Sequence, residues 1–69
     1  MKNDRQIQHD VVAEIEQDPN VPDGEIGVEV HHGVVKLAGR PNDPATKKSA
    51  ERAALRVDGV SNVVVDMGA

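Results

Sequence analysis

The sequence contains no cysteine and no Phe, Tyr or Trp. Without cysteine there are no disulfides, no thiol chemistry and no thiolate metal ligands, a composition that fits a reducing compartment. Without aromatic side chains there is no platform on which a base could stack and no cage for a quaternary ammonium group. The core must therefore come from Val, Ile, Leu, Ala and Met, whose larger members contribute about 1.5–3 kcal/mol each on burial. No apolar run is long enough for a signal peptide or a membrane span. The expected location of the chain as given is cytoplasmic, and periplasmic if it is a fragment of a longer secreted chain. At 69 residues it is expected to form one domain spanning residues 1–69, since a chain of this size buries only about 60% of its unfolded surface.

Eight basic against twelve acidic side chains leave a net charge of −4, which disfavours non-specific binding to nucleic acid or anionic lipid. The charge is unevenly spread. Residues 1–35 carry two basic side chains against eight carboxylates, net −6, and residues 36–69 carry six against four, net +2. An anionic partner would dock on the second half.

Asn3 or Asp4 can cap a first helix, with Gln6 in capping-box spacing from Asn3, and Ile7, Val11 and Ile15 then recur at i, i+4, i+8 on one narrow face. The breaker-rich run Asp18-Pro19-Asn20-Val21-Pro22-Asp23-Gly24 ends that helix near Gln17. Ile26, Val28 and Val30 alternate with Gly27 and Glu29 as in a strand with one buried face. His32-Gly33 suits a two-residue hairpin loop. It would set Val30 opposite Val35 and Val28 opposite Leu37 on one face, and Glu29 opposite Lys36 on the other. A shift of one residue would destroy both matches. Gly39 and the residues after it break the second strand, Asp43 caps a second helix with Pro44 in its first position, and Ala50, Ala53, Ala54 and Val57 form the inward face. Asp58-Gly59-Val60 reads as a glycine-centred C-cap, with Val60 folding back on Leu55 or Ala54. Asn62–Met67 reads as a third strand with Val63, Val65 and Met67 inward and Asp66 outward. The expected fold is α+β: a two-layer αββαβ sandwich, a mixed three-stranded sheet with both helices on one face.

Three segments carry a family resemblance: Ile26-Gly27-Val28-Glu29-Val30, then Gly33-Val34-Val35-Lys36-Leu37-Ala38-Gly39, and, beyond Ala50 and Ala53-Ala54, Val57-Asp58-Gly59-Val60-Ser61-Asn62-Val63. In order and spacing they resemble the BON domain of bacterial osmotic-stress and envelope proteins, over nearly the whole chain, and the opening is similar to the first domain of cytoplasmic proteins with several BON copies. Pro41, where an aliphatic residue is usual, and Val65, where many members have Asn, depart from that pattern. The resemblance implies a stress-associated module with no catalytic residues and no cofactor, attaching to phospholipid or to a partner protein. Gly33, Gly39 and Gly59 are its structural positions.

Other chemistries find little support. His31 and His32 are adjacent at a strand end, so alternation would send them to different faces, and His9 lies off the apolar stripe of the first helix. No ligand pair for a metal follows. Gly24-Glu25-Ile26-Gly27 spells the GxxG of KH-type RNA-binding domains, but it leads into a strand and carries Glu25 where a phosphate loop needs amides and basic groups. No nucleic-acid partner is expected. Ser49 and Ser61 have no His and acid partners in a triad arrangement, so no enzyme is expected.

One surface remains. Lys48, Arg52 and Arg56 recur at i, i+4, i+8 on the outward side of the second helix, with Leu55 at the stripe's edge. It is a candidate contact for an anionic surface with one apolar anchor; the plainer reading is a solvated helix face, with Leu55 consumed by the contact to Val60. The leading expectation is weak docking to an anionic phospholipid surface or a partner protein, and the rival is a protein–protein or self-association module without lipid binding.

Overall fold

The computed structural model describes residues 2–21, 26–40 and 43–67, for Met67 the backbone alone. The elements run α1 (Asp4–Glu16), β1 (Ile26–His31), β2 (Val34–Gly39), α2 (Pro44–Leu55) and β3 (Asn62–Met67). The architecture is the expected α+β sandwich of two helices on one mixed sheet. The Asn3 side chain accepts from the Gln6 backbone N–H and the Gln6 side chain accepts from the Asn3 N–H, a complete capping box that starts α1. Asp43 caps α2 by accepting from the Ala45 N–H, with Pro44 where its missing N–H costs nothing.

The sheet order is β1-β2-β3, β1 antiparallel and β3 parallel to the central β2. The hairpin register is the expected one, with Val28 opposite Leu37, Glu29 opposite Lys36 and Val30 opposite Val35. Positive φ at both His32 (51°) and Gly33 (80°) lets a two-residue turn match the strand twist. Gly39 closes β2, level with Ile26 and Met67.

Ile7, Val11 and Ile15 of α1 meet Ala50, Ala53 and Ala54 of α2 and Val28, Val35 and Leu37 of the sheet in a single core, which Val57 and Val21 complete. Val63 and Val65 pack against it half-buried, as expected of inward β3 positions. The buried Val21 lies in the stretch read as a breaker-rich loop; its N–H donates to the Asp18 carbonyl, which folds the chain back under α1. Expectations for Pro22 to Glu25, for Pro41 and for the Met67 side chain lie outside the described residues.

Two expectations need correction. Helix α2 ends at Leu55 with Arg56 as a right-handed C-cap, so Gly59 is not the capping glycine. The Arg56 and Val57 N–H groups fold back on Arg52, Ala53 and Ala54 carbonyls, and a separate turn follows, closed by Val60 N–H to Val57 O at 3.4 Å, in which Gly59 takes φ 96°. Gly59 is special for another reason. A Cβ there would lie 3.1 Å from Ile7 Cδ1, so the turn rests directly on α1. Second, Glu29 and Lys36 do sit opposite one another, but the ion pair expected of that placement is not made, and Lys36 has its partner on the other side. Its Nζ lies 3.9 Å from Asp66 of β3, because the parallel neighbour offers a carboxylate two positions along the same open face.

Candidate functional site

Helix α2 lies on the sheet through Thr46, Ala50, Ala53 and Ala54. The small side chains bring its axis close to β2 and β3, and everything opposite them faces solvent. Leu55 lies seven positions after Lys48, which on an α-helix leaves them only about 20° apart around the axis. Arg52, three residues before Leu55, is displaced by about 60°. Lys48, Arg52 and Leu55 therefore share one outward face, and all three are exposed. Leu55 is 56% exposed, one of two large apolar side chains so placed among the described residues. The cap contact expected to cover it does not, because α2 ends there and the chain turns away toward Val57.

The three cations differ in what holds them. Arg56 sits just past the helix, and its Nε lies 3.6 Å from Glu14 Oε2 of α1. Among the described residues, neither Lys48 nor Arg52 has a carboxylate within 4 Å. Arg52 lies in the last turn of α2, where the helix dipole favours a cation. The stripe is thus two free cations and an apolar side chain, with a third cation tied to α1.

Around α1 several polar groups are engaged with the protein itself. Lys2 Nζ donates to Asp10 Oδ2 at 2.6 Å, which raises the Lys2 pKa and lowers that of Asp10. The Asp4 carboxylate accepts from the backbone N–H groups of His32 (2.9 Å) and Gly33 (3.2 Å). These bonds, that to His32 first, hold its pKa below the usual carboxylate value. Gly33 O in turn accepts from the Ser61 N–H at 2.9 Å. The hairpin turn is fastened between the start of α1 and the approach to β3, across 28 and 29 residues from Asp4, and nothing local in the sequence signals it.

The open face of the sheet, away from the helices, carries Glu29, His31, Val34, Lys36 and Val64, which with His32 line a shallow hollow. The histidines do not diverge as strand alternation would require. Their ring centroids lie 4.1 Å apart at an interplanar angle of 71°, because the positive φ of His32 takes it out of the strand. Among the described residues no group of three or more His, Asp or Glu side chains is placed to hold a metal ion. His9 is exposed beside Asp10, at 3.8 Å. Of the GxxG run, Gly24 and Glu25 lie outside the described residues, while Ile26 and Gly27 are in β1. Among the described residues, no helix is long and apolar enough to cross a membrane.

The protein-family model described as BON domain matches residues 3–67. The chain belongs to the BON domain family, a non-catalytic module associated with membrane and phospholipid interaction. No curated protein matches the sequence at a significant level.

Proposed function

We propose that this BON domain is a stress-associated docking module that attaches weakly to an anionic phospholipid surface through the outer face of α2. The observation that carries this reading is the exposed Leu55 on the same face as Lys48 and Arg52, which have no carboxylate partner among the described residues. An apolar side chain flanked by free cations suits the boundary between headgroups and acyl chains, where the apolar group enters and the cations stay with phosphate. Each cation near an anionic surface contributes about 1 kcal/mol, so two or three of them give an attachment that is weak and reversible. Arg56 joins only by loosening its contact with Glu14. The net charge of −4 disfavours anionic lipid for the domain as a whole, but an orientation with the acidic first half facing away decides the field that the surface meets.

The test is binding to vesicles rich in phosphatidylglycerol against vesicles of phosphatidylcholine alone. The wild-type protein is expected to bind the first, less as salt rises, because exposed charges are screened over about 8 Å at physiological ionic strength. The Lys48→Glu, Arg52→Glu, Arg56→Glu triple variant is expected to stay folded and to lose that binding. Equal binding by a folded triple variant would remove the stripe from consideration. Absence of wild-type binding at low salt would leave docking to protein as the better reading, which the second exposed apolar side chain, Val64 on the open sheet face, favours.

A further inference from the structure

The two edges of the sheet are finished differently. In the two-residue hairpin His31 and Val34 form the hydrogen-bonded pair next to the turn, so alternation turns the backbone groups of Val28 outward. That edge is engaged at its middle, where the Gln8 side chain of α1 donates to the Val28 carbonyl at 2.9 Å. At β3 the Val63 N–H donates only to the side chain of its neighbour Asn62, at 2.9 Å. Val63 and Val65 therefore address the free edge, while Val64 and Asp66 address β2. Among the described residues no other element covers this edge. It also lacks the usual protections: Asn62-Val63-Val64-Val65-Asp66 holds no proline and no lysine, and Val64 is 46% exposed.

We propose that the β3 edge pairs antiparallel with β3 of a second copy of this chain, joining two three-stranded sheets into one of six strands about a two-fold axis. The argument for a second copy, rather than some other extended segment, is that the edge is complementary to itself in one register. Outward-facing Val63 and Val65 require hydrogen-bonded pairs of Val63 with Val65 of the partner subunit and the reverse. Val64 then falls on the axis against its own mate, and Asn62 falls opposite Asp66 of the partner subunit. The exposed apolar side chain is covered by an identical one, and each carboxylate meets an amide and not another carboxylate. Moving the register by two residues would set Val64 against Asp66 in one direction and against the polar Asn62 in the other, leaving the exposed apolar side chain without an apolar mate in either. A pairing of single edge strands buries less than the about 1,200 Å² typical of stable complexes, so the dimer is a weak one. The axis runs perpendicular to the sheet, which leaves both helical layers on the same side. If α2 docks on lipid as proposed above, the dimer presents two such faces to one surface and gains from bivalence.

The test needs no lipid, so its outcome is independent of vesicle binding. Sedimentation velocity of the wild-type chain over a rising concentration series is expected to show a monomer–dimer equilibrium in the high micromolar range. Val64→Lys, with an unchanged circular dichroism spectrum, is expected to weaken it about tenfold or more, because it sets two like charges against each other on the axis. A Val64→Cys variant in the cysteine-free chain adds a second readout, since a non-hydrogen-bonded antiparallel pair holds its Cα atoms about 4.5 Å apart, within disulfide range. It is expected to oxidise to a covalent dimer much faster than Leu55→Cys, a comparably exposed control on α2. A chain that stays monomeric throughout, a dimer indifferent to Val64→Lys, or equal oxidation rates for the two cysteine variants would each overturn the proposal. Equal rates are also what capture of an unrelated peptide strand at this edge would give.

Discussion

Helices α1 and α2 cover the same face of the same sheet with different materials. Helix α1 inserts three large aliphatic side chains, Ile7, Val11 and Ile15, and turns its polar groups to internal use: Asp4 on the hairpin turn, Gln8 on β1, Glu14 on Arg56. Helix α2 packs through three alanines and Thr46, and leaves Lys48, Arg52 and Leu55 in solvent. The difference changes the meaning of the charge asymmetry. Much of the acidity of the first half serves as fastening within the domain, whereas in the second half Lys36 and Arg56 are paired and, among the described residues, Lys48 and Arg52 stay available. One helix holds the fold and the other offers a surface.

If α1 is the structural helix, the largest effect should come from its core face. Ile7→Ala removes a buried side chain that touches both the core and the Gly59 turn, and is expected to cost about 2–4 kcal/mol. Against a total stability of about 5–15 kcal/mol, urea unfolding should show this clearly. A midpoint within error of wild type would contradict the assignment.

The next effect probes the same contact from the other side. Gly59→Ala places a side chain at φ 96° and 3.1 Å from Ile7 Cδ1, with an expected cost of about 1 kcal/mol or more. In an Ile7→Val background, where the clash is eased, the penalty should shrink while the backbone part remains. A Gly59→Ala protein that melts with wild type would show that neither matters.

A third experiment reads the hairpin fastening through pH. The Asp4 pKa is depressed in the fold, first by the His32 N–H, so its stabilisation is full above the ordinary carboxylate value and is lost as pH falls through the depressed folded-state value. Thermal melts of wild type should fall with acidification below about pH 4, and those of Asp4→Asn should start lower at neutral pH and fall less. Asp10, depressed by Lys2, keeps part of the acid response in both proteins. Parallel pH profiles would show that Asp4 contributes nothing to it.

How much of this was legible in the sequence follows from the range of each interaction. The hairpin was readable because Val28, Val30, Val35 and Leu37 alternate against Glu29 and Lys36, so that one register satisfies both faces. The capping box and the Asp43-Pro44 start of α2 were readable for the same local reason. The fastening of the turn by Asp4, the cover of Val28 O by Gln8 and the pairing of Arg56 with Glu14 link residues far apart in sequence, and no pattern announces them. The C-cap was misplaced because Gly59 does take positive φ, but in the turn after the helix rather than at its end. That error hid the exposure of Leu55. Lys48, Arg52 and Arg56 were visible as a periodic stripe, yet the sequence could not tell which of them the fold would leave unpaired.

The smallest expected change in stability is also the sharpest test of the contrast between the helices. Leu55 is 56% exposed on the last residue of α2, outside the core that Ala50, Ala53 and Ala54 define. Truncating an exposed side chain removes little buried area, and alanine has a helix propensity at least as good as leucine. Leu55→Ala should therefore unfold within about 0.5 kcal/mol of wild type. If the side chain is an anchor, the same change should lower affinity for phosphatidylglycerol vesicles severalfold, since about 1.5–3 kcal/mol is available from full burial of a leucine and an interfacial anchor is buried only in part. Salt dependence should persist in the variant, because Lys48 and Arg52 are untouched. A variant that lost stability and kept binding would reverse the assignment, making Leu55 part of the fold and leaving the cations as a solvated face.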